Sequence, residues 1–309
     1  MSGLVDGAKR LRCGTPPLVA IAAGLVLGCG GGSAGAGGGG GAGRDARPVG
    51  PALTWAPPRL THPITVRVTA ANSKLDLDRR RDYVVRMPAR PLKVAGGLTI
   101  TGGRNVLLRG GEVVVPWQGA RPRYGALRRG LLLRGQTGTV HVEGLRLRGD
   151  LGDGIDLDER LGATVQLQNV RVDRVTARDR RHFSDTHPDV VQSWAGPKVL
   201  RIDRLSATTD YQGLFLLPDQ FAHGTTSAVD LRHVDIAGSR SSAYLLWRDD
   251  AARVRLRDVH VSSPGGRAVW QTMWPEPAAW PGARLSRAAR RPFVARATAG
   301  SRYRSPGYR

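Results

Sequence analysis

Cysteine is almost absent. Cys13 and Cys29 are the only two in 309 residues, and both precede the body of the chain. That excludes a disulfide framework and a cysteine-based zinc site in the body. Lysine is nearly as scarce: Lys9, Lys74, Lys93 and Lys198 stand alone, and every other basic residue is arginine. With 41 glycines beside it, this skew has the look of GC-rich codon usage, so the formal net charge of +22 is weak evidence about partners. No nucleic-acid partner is expected. Helical periodicity is also nearly missing, while an apolar content of 40% is enough to bury a core over most of the chain.

The one long apolar run, Leu18 to Leu27, is too short for a bilayer core that needs ~20 apolar residues. Preceded by Lys9, Arg10 and Arg12, it fits the h-region of a secretory signal. It ends in Val26-Leu27-Gly28-Cys29, which resembles the lipobox of bacterial lipoproteins, although Leu27 stands where a smaller residue is usual. Residues 1–28 are therefore expected to be a lipoprotein signal peptide, with Cys29 lipidated. Residues 29–60, opening on a Gly/Ala/Ser tract, are expected to tether the chain to the outer face of the cell membrane. An ordinary secretory signal is the alternative.

From residue 64 the chain reads as short strands. The pattern V-x-L-x-x-V-x-V begins at Val140, Val165, Leu200, Val229 and Val254, spaced 25, 35, 29 and 25 residues apart. Each copy follows another short strand: 130–134, 154–158, 190–194, 213–217 and 243–247. Three strands and three turns per repeat mark a solenoid whose coils bury their apolar sides against each other. The expected fold is all-β, a right-handed parallel β-helix over 64–275 with an N-terminal cap, followed by a basic segment, 276–309, that packs along the coil or is disordered. A β-sandwich is the rival, but the tight turn dipeptides its hairpins need are mostly missing.

The rung template, with Gly102-Gly-Arg-Asn-Val106, His187-Pro-Asp-Val-Val-Gln192 and Ser305-Pro-Gly-Tyr308, resembles right-handed parallel β-helix proteins of the pectate-lyase and polygalacturonase type. It is also similar to secreted actinobacterial β-helix lipoproteins. The resemblance covers roughly residues 97–275 and implies action on extracellular polysaccharide. The polygalacturonase set (Asn-Thr-Asp, Asp-Asp, Gly-His-Gly) and the pectate-lyase arginine and calcium motifs are not identifiable.

Alternation along the first strands places Ile155, Leu157, Val191, Ser193, Leu214, Leu216, Ala243 and Leu245 inward. Asp156, Asp158, Gln192, Trp194, Phe215, Leu217, Tyr244 and Leu246 then face outward in a strip that offers acids and ring faces to a sugar. The longest insertion, Thr176–Pro188, opens beside it and leads into Asp189. Asp156, Asp158, His187 and Asp189 are the catalytic candidates, as general acid and water-activating base. Gln192, Trp194, Phe215, Tyr244 and Arg248 are the substrate-binding candidates. Clustered aspartates could instead hold Ca²⁺, with Arg248 or Arg178 as the base of a lyase. His187-Pro-Asp189 also reads as a structural turn. His182, His223, His233 and His260 read as solvated, and His141 as outward-facing.

Two functional classes stay open. One is a lyase or glycoside hydrolase acting on an extracellular, acidic polysaccharide. The other is a non-catalytic glycan-binding or structural lipoprotein.

Overall fold

Every strand pairing among the described residues is parallel. Parallel neighbours cannot be hairpin partners, so each strand must return one coil later. In the computed structural model, which describes residues 50–119, 125–178, 188–217, 226–249 and 253–309, the chain does this as a right-handed parallel β-helix. The signal segment, Cys29, His182, His187, His223 and residues 179–187 of the insertion lie outside the described residues.

An eight-stranded sheet runs Lys74–Leu77, Leu98–Gly102, Leu131–Arg134, Ile155–Asp158, Val191–Ala195, Leu214–Leu216, Leu246–Arg248 and Met273–Trp274. The second sheet is carried by the repeats. Val140, Val165, Leu200, Val229 and Val254 fall in one register column. Each late repeat is one long strand: Thr164–Val175, Val199–Thr209, Ala228–Gly238 and Arg253–Ser262. These strands bend at Asn169, Arg204, His233 and Asp258, all left-handed at φ 50–59°. One residue there steps out of the ladder, which lets the apolar alternation resume on a third face. Gly144 fills the same corner at φ 69°, the conformation glycine adopts without strain.

The inward column is one continuous core in which Ile155, Leu167, Leu214 and Leu231 are fully buried. At the leading end, Asp82 ties the first rung together. It accepts from Thr61 N at 2.6 Å and from Arg104 Nε at 2.7 Å. The Arg104 guanidinium holds its carboxyl down at about 2.

The last rung departs from the expected register. Leu246, not Ala243, pairs with Leu214, so Trp247, not Tyr244, stands beside Phe215 and Arg248 beside Leu216. Tyr244 drops into the preceding turn at φ 50°. A shift by an odd number of residues, here three, exchanges the two faces of a strand, and both Leu245 and Leu246 are buried.

The basic segment 276–309 runs back along the outside of the coil. Ala283–Ser286 pairs with Val259–Ser262, Val294 N donates to Ser206 Oγ at 2.8 Å, and Asn169 Nδ2 donates to Thr298 O at 2.5 Å. Leu53 bridges to Tyr308, so the segment at 50–56 meets the chain's last described residues over the long-strand sheet. That cover corrects the solvated reading of His233 and closes over the outward-facing His141. His141 is fully buried, 3.1 Å from Glu143 Oε2, and Tyr308 OH donates to the same oxygen at 2.8 Å. His233 Nδ1 lies 2.7 Å from Asp203 Oδ1, with Phe293 against its ring.

Candidate functional site

On the outer face of the eight-stranded sheet, parallel register lines up Leu132, Asp156, Gln192, Phe215, Trp247 and Trp274. One end of the line is acidic and the other aromatic. Phe215 meets Trp247 edge-on at 4.9 Å between ring centroids, and Tyr244 lies 4.5 Å from Trp247. Trp274 closes the line, 47% exposed.

Asp156 is fully buried although it points away from the core. Arg129, which lies just before the strand of the previous coil, donates Nε to Asp156 Oδ2. The same guanidinium stacks over Trp194, 4.9 Å from the ring. Trp194 is half-buried because the strand bulges there, with Asp158 pairing to Ala195 and skipping one residue. The extra residue re-aims the tryptophan toward Arg129. Asp156 Oδ1 has no hydrogen-bond partner among the described residues.

Asp153 and Asp189 complete a carboxyl group of three. Asp189 N donates to Asp153 Oδ1 at 3.2 Å, and Gly154 N donates to Asp189 O at 2.8 Å, so the backbone brings the two acids to neighbouring coils at Asp156. Burial pushes the Asp156 carboxyl well above the usual range; Asp153 and then Asp189 add to the rise, and Arg129 opposes it. Asp153 is the partly exposed member of the three. A carboxyl that holds its proton more tightly than usual is suited to act as a general acid.

The remaining candidates lie elsewhere. Asp158 is held between Arg134 Nε at 3.0 Å and Arg160 Nε at 2.6 Å. Arg248 falls in line with Leu157, Ser193 and Leu216 and donates to Ala279 O at 2.8 Å, so it braces the closing segment and is not part of the strip. Tyr244 reaches the strip only through Trp247. Arg178 pairs with Asp150 at 2.5 Å and covers Trp117. No group of three His, Cys, Asp or Glu side chains among the described residues is placed to hold a metal ion. Arg129 already supplies the positive charge that Ca²⁺ would bring to Asp156, so the residues present do not fit that ion.

Sequence reasoning passed over Arg129, Trp247 and Trp274. Trp247 was within reach of an alignment of Leu246-Trp-Arg248 with Leu214-Phe-Leu216. Arg129 was not, because its role comes from side-chain length reaching over one coil. Comparison with known proteins finds no matching family model, no matching curated protein and no matching solved structure. Fold and site together define the class: a parallel β-helix with an acidic cluster leading into an aromatic strip on one sheet.

Proposed function

We propose that this protein is a membrane-anchored β-helix of the pectate-lyase-like type that binds an acidic extracellular polysaccharide along the eight-stranded sheet and hydrolyses it. The observation that carries the reading is the cluster of Asp153, Asp156 and Asp189 under Arg129 and Trp194. Trp194 offers a ring face to a sugar, and Trp247 and Trp274 extend that surface along the coil axis, with the buried Phe215 packed against Trp247. Arg129 meets the carboxylate of a uronate residue, which draws the guanidinium off Asp156 and opens the acid to the glycosidic oxygen. Asp156 gives its proton to that oxygen as the bond to the anomeric carbon breaks. The Asp153–Asp189 pair takes a proton from the attacking water, whose oxygen forms the new bond. Hydrolysis is favoured over β-elimination because three carboxyls converge at Asp156, while Arg178 and Arg248 are engaged with Asp150 and Ala279.

The complete burial of Asp156 favours a second reading, glycan binding without cleavage. Acidic polysaccharides screened for new reducing ends separate the two. Hydrolysis predicts reducing ends that vanish in Asp156→Asn and Asp189→Asn while binding remains. Unsaturated uronate absorbance would point to elimination and overturn the assignment. Binding with no turnover on any polymer would leave the second reading standing.

A further inference from the structure

The chain reaches the described body at Gly50, which lines a cavity of about 230 Å³ together with His233 and Phe293. The Phe293 ring lies 5.5 Å from His233 and 6.2 Å from His260, with the Arg290 guanidinium 4.4 Å above it. An arginine surface begins at this point. Arg253, Arg255 and Arg257 occupy alternate positions of Arg253–Ser262 and are all exposed, so they project side by side from one face. Arg284 stands beside His260 in register, and Arg287, Arg290 and Arg291 follow, all exposed. Asp258 is the one acid in 253–262 and 284–291, and it faces His233 Nε2 at 3.7 Å.

Codon usage explains why these residues are arginine; it does not explain why they form no ion pair among the described residues although Asp230 stands beside Arg255 in register and Asp235 lies near Arg290. Elsewhere Arg104, Arg134, Arg146 and Arg232 each have a carboxylate within 3.0 Å. None of these seven arginines, three before the Asp258 corner and four on the segment that pairs beyond it, has an ion pair with a described residue. Their field is felt locally: His260 is held below the ordinary imidazole range by burial and then by Arg290 and Arg284.

We propose that this face rests on the anionic headgroups of the membrane that carries the chain. The charge complements an anionic lipid surface, and the segment bearing Cys29 joins the body beside it. The proposal rests on the anchored reading above, and it orients the body on the bilayer through the closing end of the long-strand sheet.

The test uses full-length Cys29→Ser protein, which removes any acyl chain, and vesicles of equimolar phosphatidylglycerol and phosphatidylcholine or of phosphatidylcholine alone. Co-sedimentation is expected with the anionic vesicles only, weakening as salt rises. Replacing Arg253, Arg255 and Arg257 together by Ala should weaken it on the order of a hundredfold. Replacing Arg67, Arg81 and Arg90, exposed on the leading coil, removes the same charge and should change it little. Equal losses in the two variants would show a net-charge effect and overturn the proposal. Intact vesicle binding with lost acidic-polysaccharide binding in the first variant would assign the face to the polymer and overturn it as well. Failure of the anchor would show separately, as wild-type protein released without lipid.

Discussion

Asp156 and Glu159 lie three residues apart, and burial pushes both carboxyls upward, yet their surroundings give them different work. Asp156 faces Arg129 and two aspartates on the outer surface. Glu159 is closed in at the turn, where its Oε2 accepts from Gln136 N at 2.9 Å, and its carboxyl is pushed up to about 8. A carboxyl with a raised folded-state value binds a proton more tightly folded than unfolded. Stability from Glu159 is therefore full below the ordinary value of 4.5 and falls as pH rises toward about 8. The slope is roughly 1.4 kcal/mol per pH unit across that window. Glu159→Gln should flatten this part of the pH–stability curve and raise the denaturation midpoint at alkaline pH. An unchanged curve in chemical denaturation would show that Glu159 does not titrate in this range. Trp194→Ala should weaken glycan binding measured by calorimetry and leave the folded state intact, because Trp194 covers Arg129 and is not part of the core.

The long strand is the element that organises the coil. Its two apolar stretches meet at a left-handed corner, and an inward leucine on either side touches the coils above and below. Leu231→Ala should cost ~2–5 kcal/mol, read by denaturant titration, because a rigid stack cannot close on the space left behind. Outward changes divide. Arg255→Ala should cost within ~0.5 kcal/mol at an exposed position. Arg171 reads from the pattern as equally dispensable, but its Nε donates to Asp173 at 2.6 Å and its NH1 to Val294 O at 2.6 Å. Arg171→Ala should therefore cost more than Arg255→Ala, a comparison that the same titration makes directly. The contrast shows what a sequence can hold. Apolar alternation at fixed spacing was legible from Val140 onward because every coil repeats the same burial. The pairing of Asp156 with neighbouring coils followed from that register. The slip at Leu246, the reach of Arg129 and the cover over His141 were not legible, since each depends on contacts between segments that share no period.

At the scale of the molecule, the ends of the described body act as a cover over the long-strand sheet. Full-length protein should partition with membranes, and Cys29→Ser should release it or leave it unprocessed; soluble wild-type protein with a different N-terminus would remove the lipoprotein reading. The cover itself makes a separate demand. Trp55 exchanges hydrogen bonds with Gln168, Thr54 Oγ1 donates to Asp203 at 2.6 Å, and Phe293 N donates to Asp235 at 2.9 Å. Beneath it, burial pushes Glu143 upward, but His141, Tyr308 and Arg109 together hold its carboxyl below the ordinary value of 4.5. A depressed carboxyl stabilises above its unfolded value and loses that contribution as pH falls through the folded one, so the cover should loosen in acid. Deleting residues 293–309 should expose amides at 53–55 and along the outer edge of the long strands to faster hydrogen exchange. The inward column should stay protected, because the coils bury one another without help from the cover. The proposed polysaccharide binding should persist, since Asp156, Gln192 and Trp194 lie on the other sheet. Loss of protection throughout the coil, and not only on the covered face, would show that the closing segment belongs to the same cooperative unit as the rungs.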